Sequence, residues 1–204
     1  MNYMSAAAEK QEPVILHDPK PAEKMKERPF YIYLFRFFVT FCILYYGTIA
    51  SIGICAPGGY YWSFAARHFN YISWLRYSLL QGAKLFVSIA GFDAYIKDIY
   101  TLSLQQGRGV HVGFDCLGYG LMSFWAAFIF ANAGRLIKKS IWILGGLLLI
   151  WLINVLRITL LLIAVNKQWP IPFGLDHHTW FTIVAYFCIF TMIYFFDRSH
   201  RHRL

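Results

Sequence analysis

The sequence predicts an all-α integral-membrane protein with about four transmembrane helices, an extracytoplasmic interfacial helix and a β-hairpin. Composition is the first reason. Of 204 residues, 58% are hydrophobic, 20% aromatic and 14% charged, against about 25% charged in an ordinary soluble domain. Mean hydropathy is +0.47. The second reason is the recurrence of apolar runs long enough to cross a hydrocarbon core of ~30 Å. The third is the placement of basic residues at their ends. The net charge of +9 is therefore read as loops held on the cytoplasmic side and not as a nucleic-acid footprint.

Residues 1–29 are polar and carry Pro13, Pro19, Pro21 and Pro29 with Lys10, Lys20, Lys24, Lys26 and Arg28. They read as a disordered or surface-lying cytoplasmic arm, and the start shows no short apolar core of a signal peptide. Span one is predicted over 30–55, where Arg36 snorkels toward the basic side. An outer segment of 56–115 follows. Within it, Tyr71 to Gly91 has apolar residues at Ile72, Leu75, Leu79, Phe86 and Ile89, interrupted by Arg76, Gln81 and Lys84. That spacing suits an amphipathic helix on the interface. Tyr95 to Leu104 is β-prone, Gln105 to Gly109 is a turn and Val110 to Phe114 alternates, so a hairpin is expected. Spans two, three and four are predicted near 117–134, 141–162 and 178–196, with a basic tail at 197–204.

Charge orients the chain. With four spans, the arm, the Arg135/Lys138/Lys139 loop and the Arg198/Arg201/Arg203 tail share one side, which the positive-inside rule makes the cytoplasm. Treating 72–90 as a fifth span breaks that rule twice. Four spans bring Cys116 to the start of span two at the outer face. Arg157 then lies in the outward half of span three, with Asn154 three residues earlier on the same face. His177 and His178 open span four.

These residue types have a chemistry in common. A thiol at a helix N-terminus gains from the dipole as its anion. An arginine inside an apolar run costs at least ~2.5 kcal/mol to insert and is functional by default. A histidine at a positive helix end stays neutral and able to act as a base. Nucleophile, proton carrier and oxyanion partner are the parts of acyl transfer. The other cysteines fit this reading. Cys42 and Cys188 fall inside apolar runs, where a thiol acts as a small hydrophobe, and no spacing among the four cysteines matches a zinc or haem motif. Two alternatives stand beside the enzyme. One is a metal site drawn from His111, Cys116, Asp176, His177 and His178, whose spacing fits no known pattern. The other is a non-enzymatic membrane subunit of a polysaccharide or export assembly.

Three motifs carry a family resemblance. Cys116-Leu-Gly118 stands before a span, Asn154-Val-Leu-Arg-Ile158 late in the next, and Asp176-His-His178 at the start of the last. Together they resemble the exosortase/archaeosortase family over most of residues 70–196. The family pattern at the cysteine is C-(S/A)-G, so Leu117 departs from it, and the chain is shorter than the eight-span members. The resemblance implies a transmembrane cysteine protease or transpeptidase of the bacterial inner membrane, with both termini cytoplasmic and no cofactor. Its partners would be the bilayer and exported proteins ending in a short motif, a transmembrane helix and a basic cluster, which it cleaves and passes to a cell-surface acceptor. By motif, Cys116 is the nucleophile, Arg157 the oxyanion or thiolate stabiliser, and His177 or His178 the acid/base. Asn154, Asp176 and Gly118 support them.

Overall fold

The computed structural model describes residues 21–55, 64, 70–169 and 177–201, without the side chains of 21–29, 115, 177, 178, 200 and 201. Among the described residues, five helices and a three-stranded sheet follow one another: α1 (Pro21–Cys55), α2 (Tyr71–Ile89), β1 (Ala94–Asp98), β2 (Thr101–Leu104), β3 (Gly109–His111), α3 (Tyr119–Ala131), α4 (Leu136–Lys167) and α5 (His177–Arg201). A single 3₁₀ turn, Phe114–Cys116, joins β3 to α3. Among the described residues three helices are long and apolar enough to cross a membrane: Phe30–Cys55, Leu136–Lys167 and Thr179–Ser199.

The second expected span is the exception. Over 117–134 the chain forms a helix of only 13 residues, about 20 Å long at 1.5 Å per residue. Gly118 is left-handed at φ 71° and Asn132 is extended, so the helix is cut at both ends. Lys139 closes its far end by donating to the Phe130 carbonyl at 2.9 Å, which suits a cation at a helix C-terminus. The first expected span matches the apolar stretch Phe30–Cys55, and the helices of spans one, three and four run beyond the expected bounds. α1 takes in residues 21–29, and Pro21 at its first position needs no helical N–H partner. α4 takes in Lys138, Lys139 and the residues up to Lys167.

Side-chain pairs give the helix directions. Phe37 meets Phe124 and Tyr45 meets Tyr119, each pair of ring centroids 5.6 Å apart, so α1 and α3 are antiparallel. Trp125 Nε1 donates to the Trp142 carbonyl at 3.0 Å while Gly118 faces Asn154, so α3 and α4 are antiparallel. Trp142 contacts Phe196 at 5.4 Å while Arg157 and Phe181 share a cavity, so α4 and α5 are antiparallel too. The starts of α3 and α5 and the ends of α1 and α4 therefore lie at one end of the bundle.

The interfacial helix is seated on a span. Trp151 Nε1 donates to Ser78 Oγ at 3.0 Å, a Cβ on Gly82 would come within 2.9 Å of Val155, and Thr159 Oγ1 reaches the Ala83 carbonyl at 3.5 Å. These pairs ascend together, so α2 runs in the same direction as α4 and packs along it. Its buried face is Ile72, Arg76, Leu79, Leu80, Ala83 and Val87. Arg76 thus belongs to the buried stripe and not to a polar face. Gly91 ends α2: at φ 84°, its N–H reaches Ser88 and that of Phe92 reaches Val87, a Schellman cap.

The expected hairpin is a meander of three antiparallel strands, β1-β2-β3. Tyr95 to Leu104 is broken by a tight turn, because Asp98 Oδ1 accepts from the Tyr100 N–H at 2.7 Å and bends the chain back. The β2–β3 turn is tied to the end of α4. Asn166 Oδ1 accepts from the Arg108 N–H at 2.6 Å and Asn166 Nδ2 donates to the Arg108 carbonyl at 3.0 Å.

Candidate active site

The cysteine segment descends from the sheet. Val112 N–H donates to the Tyr100 carbonyl at 2.7 Å, the last backbone bond between the segment and the sheet. Phe114–Cys116 then form the 3₁₀ turn, in which Cys116 N–H reaches Gly113 and Leu117 N–H reaches Phe114, both at 3.1 Å. Leu117 is fully buried, and Cys116 is half-buried against the apolar cluster that includes Val112, Leu117 and Val155. Gly118 swings the chain into α3. An ordinary side chain there would be strained by the backbone and would run into the Asn154 amide. Close approach of α3 to α4 at this point requires glycine.

Beside this crossing lies a cavity of about 430 Å³. Gly118, Tyr119, Gly120 and Leu121 line one wall, Ile153, Asn154, Leu156, Arg157 and Leu160 the second, and residues of α5 from Phe181 to Cys188 the third. Tyr45 of α1 completes it. Asn154 is buried and its Nδ2 donates to the Ile150 carbonyl at 3.1 Å, which leaves the side-chain oxygen available to orient a neighbour. Arg157 is half-buried. A guanidinium on a largely apolar wall is weakly screened, so its field on any negative charge placed beside it would be strong. The cavity continues into a second space of about 460 Å³ between Phe41, Phe124, Phe190 and Ile193, with Gly120, Leu121 and Tyr186 shared by both.

The residues expected from the sequence are thus unequally brought together. Gly118, Asn154 and Arg157 share one cavity. Cys116 sits two residues before its wall, packed into the adjoining core. His177 and His178 begin α5, one turn ahead of the lining residues Phe181 and Thr182, and their side chains lie outside the described residues, as does Asp176. His111 stacks on Tyr100 at the sheet, with centroids 5.5 Å apart.

One residue near the cysteine escaped the sequence reading. Arg76 is 3% exposed, and its guanidinium lies 4.3 Å from the Tyr100 ring centroid and 4.6 Å from that of Phe114. The signal was present in the spacing: positions 72, 76, 79, 80, 83 and 87 form one helical stripe.

The model of the transmembrane exosortase family matches residues 22–194, most of the chain. The chain belongs to the transmembrane exosortase family. The match extends from the first turns of α1 through α5, so it takes in the cysteine segment, the α4 motif and the paired histidines. No curated protein and no solved structure matches the chain at a significant level. The family and the apolar helices make this exosortase a membrane protein.

Proposed function

We propose that this exosortase is a cysteine transpeptidase or protease of the bacterial inner membrane, cutting C-terminal sorting signals of exported proteins at the outer face. The observation that carries the reading is the cavity: Arg157, Asn154 and Gly118 meet on it, between the turn that holds Cys116 and the helix that begins with His177 and His178.

In this mechanism the scissile carbonyl enters at the α3–α4 crossing. His177 or His178 takes the Cys116 proton as Sγ attacks the carbonyl carbon, and the oxyanion forms beside Arg157. The histidine returns the proton to the leaving amine, the C–N bond breaks and a thioester remains. Water or an acceptor amine then attacks the thioester and restores the thiol. Asn154 steadies Arg157 or the histidine, and Asp176 orients the histidine. The substrate's own transmembrane helix lies in the continuation of the cavity along α1, α3 and α5, against Phe41, Phe124, Tyr186 and Phe190. The charge pattern puts the Arg135/Lys138/Lys139 end in the cytoplasm and the cysteine end outside.

The test is processing of a co-expressed protein that ends in a motif, an apolar run and a basic cluster. Cys116→Ala is expected to leave the full-length form in the membrane. Unchanged processing in Cys116→Ala would sink the mechanism, and loss in only one of His177→Ala and His178→Ala would assign the acid/base.

A further inference from the structure

We infer that Arg76 is a positioning residue for Cys116, acting through the ring of Phe114. The inference rests on the nucleophile reading of Cys116.

After Val112 the backbone makes no further hydrogen bond to the sheet among the described residues, yet the cysteine turn must keep a defined place beside α4. The ring of Phe114, first residue of that turn, packs on the Arg76 guanidinium at 4.6 Å, and the Tyr100 ring covers it at 4.3 Å. Arg76 is therefore a planar cation in contact with two aromatic rings, one in the β1–β2 turn and one on the cysteine turn. Among the described residues its Nε and Nη2 have no hydrogen-bond partner. What holds the group is the Tyr100 side chain, which also interacts with its charge, and the Phe114 ring. The same helix is locked to α4 through Ser78 with Trp151 and Gly82 with Val155, within about two turns of Arg76 along α2. A chain of contacts thus runs from α4, which bears Asn154 and Arg157, through α2 and Arg76 to Phe114 and so to Cys116.

A buried cation without paired donors is a poor stabiliser, and an apolar side chain of similar length is often neutral or better. What the guanidinium provides is a flat, charged platform for aromatic rings that an aliphatic chain lacks. The turn it holds has only two internal backbone bonds, from Cys116 and Leu117, so the platform sets where the thiol stands.

Hydrogen exchange on the full-length protein in detergent micelles tests this. Arg76→Met keeps the length and removes the platform. Peptides covering 113–118 are expected to exchange at least ~10-fold faster, while those covering 78–83 and 150–160 stay as in the parent, because the loss is local. Phe114→Leu should give the same pattern, and the double variant no more than either alone, since both remove one contact. Arg76→Lys, which keeps charge without the planar face, should fall between. Processing of the co-expressed substrate should drop on the order of 100-fold in Arg76→Met, the usual effect of a small misplacement of a reacting group. Unchanged exchange at 113–118, a uniform rise along the chain, or multiplying losses in the double variant would each overturn the inference. Should Arg76→Met not fold, Phe114→Leu alone decides it by the same readings. If the exchange pattern holds while Cys116→Ala still processes substrate, the nucleophile reading fails and the anchoring of the turn stands.

Discussion

At the scale of single residues, Gly118 and Arg157 carry the sharpest consequences. Gly118 is held at φ 71° with the Asn154 amide where a Cβ would go. Gly118→Ala is therefore expected to cost about 1–3 kcal/mol, the usual penalty for a strained backbone position, and to separate α3 from α4. Thermal unfolding in detergent would reveal it, and an unchanged midpoint would contradict the close approach. Arg157 is a different kind of residue, since it is half-buried on the cavity wall. Arg157→Ala is predicted to lower turnover roughly 100- to 1,000-fold, the range for losing one oxyanion donor. Arg157→Lys should recover part of that, because a point charge remains where the fork is lost. Equal activity in Lys and Ala variants would mean that charge is not what the site requires.

At the scale of elements, the sheet is held by two short polar devices. Asn166 bonds both backbone groups of Arg108 at the β2–β3 turn. Asn166→Ala should free that turn at a cost of about 1–2 kcal/mol for the lost bonds, read as faster exchange in peptides covering 104–109 with α4 unaffected. Asp98 closes the β1–β2 turn. The backbone N–H of Tyr100 holds its carboxyl below the ordinary carboxylate range, helped by Thr101 and by the nearby His111. With the folded pKa depressed, this contribution is complete above the unfolded value of about 3.9 and fades as pH falls through the lower folded value. The turn should therefore loosen only in strong acid, and Asp98→Asn should abolish that pH dependence when exchange at 98–101 is followed across the range.

At the scale of the whole molecule, the bundle alternates direction and leaves an apolar groove between α1, α3 and α5 that runs out from the Arg157 cavity. A substrate helix in that groove would touch Phe190 and Tyr186. A photoreactive side chain introduced at Phe190 is predicted to cross-link the co-expressed substrate, whereas one at Ile137, exposed on the far end of α4, should not. Cross-linking at both positions alike would indicate random encounters in the bilayer. The short α3 makes the groove deep. A helix of about 20 Å cannot cross the core alone, so it depends on α1 and α4 to either side.

Much of this was legible in the linear chain because membrane insertion acts on local composition. A run such as 30–55 or 141–162 must be helical in lipid whatever its neighbours do, since its backbone has no water to bond. The Cys116, Arg157 and His177/His178 motifs were legible for a related reason: polar groups are conspicuous where apolar residues prevail. What the sequence left open depended on contacts between distant segments. Arg76 read as an interruption in an amphipathic helix, and its burial beside the side chains of Tyr100 and Phe114 came only with the fold. The expected span over 117–134 shrank to 13 residues, cut at its start by Gly118, which turns left-handed beside Asn154, a partner 36 residues along the chain, and at its end by the extended Asn132. Composition and motif thus determined the class, three long apolar helices and the candidate chemistry. Tertiary structure decided which polar residues share a cavity and which hold it in place, because buried cations and close backbone approaches are settled by what packs against them.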